Sequence, residues 1–187
     1  MNVLAIDTTG RHLTVALKTK NEWTVVFNKQ CNLNHSVVIN QQIDNLVKQA
    51  GISYADLDVC ACNVGVGSFT GIRVGISTIK GLCFASDKKL VSVNTFEILA
   101  YNTQEQVTAL VPDNRGIYCQ NFVDGVAVDE AQHVEQMPQA NKTVIFDNEV
   151  DYSANFVGLV DKKIAEDDFV QTLLPLYVRK SQAEENK

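Results

Sequence analysis

The sequence predicts an α/β fold made of two related lobes, the second one reduced. Three observations lead there. Residues 1–30 read as short strands joined by polar turns. Helices and strands then alternate as far as residue 103. From Val107 a strand, an acid and a hairpin recur in the shorter remainder of the chain. The first lobe is therefore expected over residues 1–103, and the reduced second lobe with its C-terminal tail over 104–187.

The elements follow in order. "VLAID" is a continuous apolar run ending in an acid. "LTVALKT" and "WTVVFN" alternate or nearly so, with "TTGRH" and "KTKNE" as turns, so the three form an antiparallel meander. Asn34-His35-Ser36 precedes apolar residues at 39, 43, 46, 47 and 50, the stripe of an amphipathic helix that ends before Gly51. "DLDVCACNVG" is a buried strand, and a second helix is expected from Ser68 or Phe69 to about Ala85. "KLVSVN" is another strand and "TFEILAYN" a short helix. A meander followed by crossovers is the order of a ribonuclease H-like unit. In the second lobe "VTALVPDN" and "GIYCQNFV" read as strands, followed by a turn at Asp124-Gly125 and by "VAVDEA". "PLYVRKSQAEENK" reads as a docked segment running into a polar tail.

The composition excludes some classes of function. Among 187 residues, 45% are hydrophobic and 20% charged, as in ordinary globular proteins. No apolar run approaches the length that crosses a bilayer, and the N-terminus reads as a strand, not a signal peptide. Five cysteines without framework spacing point to a reducing compartment, so the cytoplasm is expected. Cys60 and Cys62 share one face of a strand, where they fit small buried hydrophobes better than metal ligands. His12, His35 and His133 form no cluster, and no metal site is expected. A net charge of −6 disfavours independent tRNA binding, which would call for a basic face.

The stretch "NVGVGSFTGIRVGISTIKGL", from Asn63 to Leu82, is the most informative. It is neither a Walker loop nor a dinucleotide fingerprint, because Thr70 stands where each would require glycine. Glycines between a strand and a helix still present amides at a positive helix end, so Gly65, Gly67, Ser68 and Thr70 are candidates for anion or nucleotide contact. Gly71, Gly75 and Gly81 lie inside the expected helix, where each costs about 1 kcal/mol relative to Ala. Some close packing contact must offset that cost. The spacing places Gly71 and Gly75 one turn apart, open to another helix of this chain or of another subunit.

"GVGSFTGIRVGISTIKGL" resembles the "GPGSFTGLRIG…AKGL" signature of the TsaB (YeaZ) family, the dimerisation subunits of the bacterial machinery that places threonylcarbamoyl on adenosine in tRNA. "LAIDTTG", "NHSVVINQQIDNLVKQAG", "VPDNRGIYCQNF" and "PLYVRKSQAE" agree with it. Val66 departs from the usual proline, and the chain is shorter than typical members. The resemblance implies the ribonuclease H-like, actin-like ATPase (ASKHA) superfamily. It also implies a non-catalytic subunit that binds and stabilises TsaD and supports recruitment of the ATPase TsaE, with tRNA met only through the complex and a homodimer when alone. TsaD holds a metal with two helix histidines, in a segment resembling V-N-H-L-E-G-H. Thr95 and Leu99 take those two positions here, so the metal site cannot form. No catalytic residue is expected, and the peptidase role once suggested for relatives is disfavoured.

In relatives two helices of the first lobe pack against the same helices of the partner. The resemblance thus implies an interface through Val38, Ile39, Gln42, Gly71, Ile72, Gly75, Ile76 and Ile79. No cofactor is expected beyond a candidate nucleotide at a subunit boundary. The alternative is an actin/sugar-kinase-type enzyme with its own ATP hydrolysis or phosphoryl transfer. That would need acids from both lobes around Mg²⁺, and Asp7 and Asp113 stand at comparable points of the two half-repeats. Asp7 also reads as a turn cap beside Thr8 and Thr9.

Overall fold

A computed structural model describes residues 1–31, 34–84, 86–146 and 151–179. Strands β1 (Val3–Asp7), β2 (Leu13–Thr19) and β3 (Glu22–Asn28) form the expected antiparallel meander. Helix α1 (His35–Gln49) buries Ile39, Ile43, Leu46 and Val47, the predicted stripe. It stops at Gly51, whose φ of +66° suits glycine and lets the next two amides fold back on the helix. The bonds Gly51 N–H to Lys48 O and Ile52 N–H to Val47 O, at 3.1 and 3.2 Å, close that end.

After a 3-10 turn at Tyr54–Asp56 come β4 (Val59–Asn63), α2 (Phe69–Cys83), β5 (Lys89–Val93) and α3 (Thr95–Ala100). The sheet order is β3-β2-β1-β4-β5, with β4 and β5 parallel to β1. This is the ribonuclease H-like arrangement that the sequence predicts. Helix α2 ends at Cys83, and the expected end near Ala85 lies outside the described residues. Helix α3 opens with a capping box between Asn94 and Glu97.

The second sheet contains β6 (Gln106–Asp113), β7 (Gly116–Val123), β8 (Val126–Ala127), β9 (Gln132–Val134) and β10 (Thr143–Ile145). Its order β10-β6-β7-β8 echoes β4-β1-β2-β3, with β10 parallel to β6 and β7 antiparallel to it. The counterpart of β3 is divided, since β8 and β9 pair with opposite ends of β7. Helix α4 (Tyr152–Ala165) follows, capped by the Asp151 carboxylate, which accepts from Ala154 N–H at 3.1 Å.

The two faces of the first sheet serve different cores. Alternate residues Leu4, Ile6, Cys60 and Cys62 pack under α1 and α2. Val3, Ala5, Val59 and Ala61 face the other way, into a core shared with α3, α4 and the second sheet. The C-terminal segment returns across this body. Val170 N–H donates to Leu90 O at 2.9 Å and Leu176 N–H to Val64 O at 2.8 Å. Residues 180–187, most of the expected polar tail, lie outside the described residues.

Candidate functional site

Parallel strands gather polar chemistry at their C-terminal ends, and here that end holds a closed cluster. Asp7 terminates β1, Asn63 terminates β4, Thr95 begins α3 and Tyr152 begins α4. The Asp7 carboxylate is 0% exposed. Its Oδ1 accepts from Thr9 N–H at 2.7 Å and from the Thr9 hydroxyl at 2.8 Å. Its Oδ2 accepts from Asn63 Nδ2 at 2.8 Å and from the Tyr152 hydroxyl at 2.7 Å. His12 Nε2 lies 3.2 Å away, close enough for electrostatic attraction but not aimed along a hydrogen bond.

Burial alone would raise the pKa of this carboxyl. The neighbouring His12, the Asn63 amide and the Thr9 N–H outweigh burial and hold it well below the usual carboxylate range. Burial and the Asp7 charge push the Tyr152 phenol well above its ordinary value, so the phenol stays a donor. The His12 ring roofs the site, stacked on Phe146 at 4.7 Å and edge-on to Tyr152 at 4.9 Å. Asp7 is thus the turn cap read in the sequence. His12, Asn63 and Tyr152, which complete the cluster, were not singled out there.

The glycine loop lies directly against this cluster. Gly65 and Gly67 have φ of +114° and +151°, and a Cβ at Gly67 would overlap the Thr9 carbonyl oxygen. Gly65 N–H donates to Asn63 Oδ1 at 3.0 Å and Ser68 N–H to Thr9 O at 2.6 Å. Ser68 Oγ caps α2 by accepting from Gly71 N–H at 3.2 Å. Thr95 donates its N–H to Gly65 O at 2.7 Å and its hydroxyl to Val66 O at 2.6 Å. The expected anion cradle at Gly65, Gly67, Ser68 and Thr70 therefore has its amides at 65 and 68 engaged within the chain. Of its side chains, only Thr70 is exposed.

Most residues of the expected interface face inward. Ile39, Gly71, Ile72, Gly75, Ile76 and Ile79 are buried inside their own lobe. Gly71 and Gly75 make room for β1 and β4. A Cβ at Gly71 would overlap the Thr8 carbonyl oxygen, and one at Gly75 would lie 2.7 Å from Thr8 Oγ1 and 3.2 Å from Cys62 Sγ. Thr8 Oγ1 donates to Gly71 O at 2.6 Å and fixes that approach. Gly81 meets nothing within 4 Å, so no contact explains it. Val38 and Gln42 are half-buried.

The outward positions are different ones. Val37 is 74% exposed on α1, Phe69 is 40% exposed at the start of α2, and Phe84 just beyond α2 is 85% exposed. The Arg73 guanidinium lies 3.8 Å from the Phe69 ring centre, and its Nε donates to the Tyr177 hydroxyl at 3.1 Å. Tyr177 stacks on Phe69 at 5.5 Å. These residues could have been found by asking which positions the core-facing stripe leaves over.

Thr95 and Leu99 occupy α3 as expected. The Thr95 hydroxyl bonds Val66 O, and Leu99 is buried in the shared core. Among the described residues no group of three or more His, Cys, Asp or Glu could hold a metal. Asp113 does not join Asp7. It sits at the β6–β7 turn, accepting from Arg115 N–H at 2.6 Å and facing His133 at 3.4 Å. Burial raises its pKa, but the Arg115 amide and His133 lower it by more, to a net value below the usual range. A groove of 940 Å³ opens elsewhere, between the end of α3, the β7–β8 turn and α4, and no residue of the Asp7 cluster lines it.

A family model described as TsaD, tRNA N6-adenosine threonylcarbamoyltransferase, matches residues 26–115. The tRNA threonylcarbamoyladenosine biosynthesis protein TsaB of Haemophilus influenzae is 31% identical over 100 residues, covering 54% of this chain and 42% of that protein. The protein of the same name from Escherichia coli is 33% identical over 100 residues, covering 54% and 43%. The matched part therefore spans less than half the length of these curated relatives. The solved structure of YeaZ from Pseudomonas aeruginosa superposes with a TM-score of 0.77 at 21% identity, over 94% of this chain and 99% of that one. It shares the fold.

Proposed function

We propose that the chain is a TsaB (YeaZ)-type protein, similar to the curated TsaB proteins over 100 residues, and that it is a non-catalytic subunit of the machinery that forms threonylcarbamoyladenosine in tRNA. In this reading it binds and stabilises TsaD, supports recruitment of TsaE, and meets tRNA only through the complex. When alone it pairs with a second copy. The observation that carries the reading is the sealed carboxylate of Asp7. A metal–nucleotide at the end of β1 would need free carboxylate lone pairs and an open approach. Asp7 instead faces four hydrogen-bond donors and lies beneath an aromatic roof.

The outer face of α1 and α2 supplies the means of association. Aromatic residues and arginine carry most of the binding energy in protein interfaces. Phe69, Arg73 and Tyr177 form a pre-stacked group beside the α2 N-terminus, with Val37 and Phe84 exposed further along the two helices. The docking surface is therefore assigned to these residues and not to the buried glycines. The kinase-type alternative loses its basis, because Asp7 and Asp113 have separate partners.

Light scattering after size-exclusion chromatography tests the reading. The protein mixed with TsaD from the same source is expected to elute as a one-to-one complex. Arg73→Glu with Phe69→Ala should abolish that shift and leave the circular dichroism spectrum unchanged. Unchanged complex formation by the double variant would move the interface elsewhere, and no complex with the wild-type chain would refute the subunit reading.

A further inference from the structure

Helix α2 differs in charge from the rest of the chain. The protein has 22 Asp and Glu against 16 Lys and Arg. Helices α1, α3 and α4 each carry an acid, Asp44, Glu97 and Asp161. Helix α2 carries Arg73 and Lys80 and no acid. Its exposed positions Thr70, Arg73, Ser77 and Lys80 recur at helical spacing and so share one outward face. Apolar groups border that face, with exposed Phe69 at its start, Phe84 just beyond its end and Tyr177 beside Phe69.

Arg73 is held in place on this face from two sides. Its guanidinium carbon lies 3.8 Å from the Phe69 ring centre, and its Nε donates to the Tyr177 hydroxyl at 3.1 Å. Tyr177 is anchored in turn. Leu173 of the same segment is buried under α2, and Leu176 N–H donates to Val64 O at 2.8 Å. With Nε engaged, the N–H groups of the two terminal nitrogens remain to meet a partner. Among the described residues no carboxylate pairs with this guanidinium. Such a fork matches a carboxylate through two parallel hydrogen bonds. The stacking has already ordered the side chain, so docking costs it little further freedom.

We propose that Phe69, Arg73 and Tyr177 form a receptor for one carboxylate, an Asp or Glu side chain on the partner surface that docks against α2. The inference rests on the subunit reading of this face and adds the chemistry of what meets it. The carboxylate takes the open end of the Arg73 fork. The Phe69 and Tyr177 rings beside it keep water away, which strengthens the pair. Tyr177 is the positioning residue, since its hydroxyl fixes the plane of the guanidinium. Lys80, further along the same face, adds attraction in a chain whose net charge of −6 otherwise repels an acidic surface. A second copy is the poorer occupant. Its α2 brings the same two cations and no acid. The acid of its α1, Asp44, is already bonded by the Tyr54 hydroxyl and faces Lys48 at 3.9 Å. Like charges across such a contact select against self-pairing through α2.

Titration calorimetry of the full chain with TsaD from the same source tests the inference. Arg73→Gln should weaken the complex by about 30-fold and flatten its dependence on salt, with a urea midpoint close to that of wild type. Arg73→Lys should recover only part of the loss, because an ammonium cannot fork. Tyr177→Phe should weaken binding by the wild-type chain and add nothing to Arg73→Gln. The surface acids of TsaD are then changed to their amides one at a time. One of these variants should match the loss caused by Arg73→Gln, and combining the two should cost no more than either alone. Affinity of Arg73→Gln within about twofold of wild type, or no coupled acid on TsaD, would overturn the inference and leave the subunit reading standing. Self-association of the chain alone that is lost on Arg73→Gln would assign the face to a second copy and overturn it as well. No complex with the wild-type chain would overturn both.

Discussion

Replacing Gly71 by Ala tests whether the small residues of α2 serve the chain's own packing. The new Cβ would overlap the Thr8 carbonyl oxygen and lie 3.1 Å from its carbonyl carbon. Both atoms belong to backbone at the end of a fully buried strand, so they cannot swing aside. Overpacking of this kind costs about 3 kcal/mol. Losing the bond from the Thr8 hydroxyl to Gly71 O adds about 1 kcal/mol. The better helix propensity of Ala returns about 1 kcal/mol. The net loss of about 3 kcal/mol is a large share of a stability of about 5–15 kcal/mol. With a urea m-value of about 2 kcal/mol/M, the midpoint should fall by about 1.5 M. Gly75→Ala meets a side-chain hydroxyl and a sulfur, and should lose about half as much. Gly81→Ala meets nothing and should raise stability by about 0.5–1 kcal/mol. Urea unfolding followed by circular dichroism reads all three. A Gly71→Ala chain as stable as wild type would refute the reasoning, and if it lost only partner binding the subunit reading of these glycines would return.

Three further outcomes follow from the Asp7 cluster. Tyr152→Phe deletes the 2.7 Å hydroxyl bond to a charged acceptor and should cost about 2 kcal/mol in urea unfolding; a change within a few tenths would mean that the carboxylate finds another donor. Asp7 is depressed in the folded state, so its contribution to stability is complete above the unfolded carboxyl value near about 4 and is lost as pH falls from there toward the folded value. Wild type should therefore show a steeper loss of stability below about pH 4 than Asp7→Asn, and parallel acid limbs would show that Asp7 is not the titrating group. The isolated chain with ATP and Mg²⁺ should release no phosphate above a no-protein control, and turnover abolished by Asp7→Asn would restore the kinase-type alternative.

Legibility differed along the chain for physical reasons. The first eight elements were readable because each carries its own periodicity. The stripe at 39, 43, 46 and 47 and the capping residues Asn94 and Glu97 are local signals. Helix α4 was not predicted, although Asp151 caps it and Tyr152, Phe156, Leu159 and Val160 share one face. Its run "FVGLV" is dense in β-branched residues and contains glycine, which masks the helical period. In the site, Asp7 beside Thr9 was local and legible. Asn63, His12 and Tyr152 reach it through the tertiary fold, the last across 145 positions, and no spacing rule connects them. The glycine pair showed a bare backbone patch. What approached it, Thr8 or a second subunit, was decided by how β1 lies under α2.

The same cluster bears on the proposed subunit role, in a fold suited to ligand chemistry. A carboxylate at the end of β1 faces the crevice where open α/β sheets place their ligands. Buried charge is tolerated only when it is paired and hydrogen-bonded. Asp7 meets that condition with groups from its own turn, from β4 and from α4, which leaves no lone pair turned toward solvent. Asn63 Nδ2 also reaches Thr95 Oγ1 and the Tyr152 hydroxyl, each at 3.1 Å, so α3 and α4 are tied to the same point. A reacting site must admit substrate and water and must change charge during turnover. This cluster is buried and fully hydrogen-bonded, and it joins two strands to two helices through one fixed charge. Thr8, one residue beyond Asp7, bonds Gly71 O and holds α2 against the end of β1, which fixes the position of Phe69 and Arg73, the residues proposed to meet a partner.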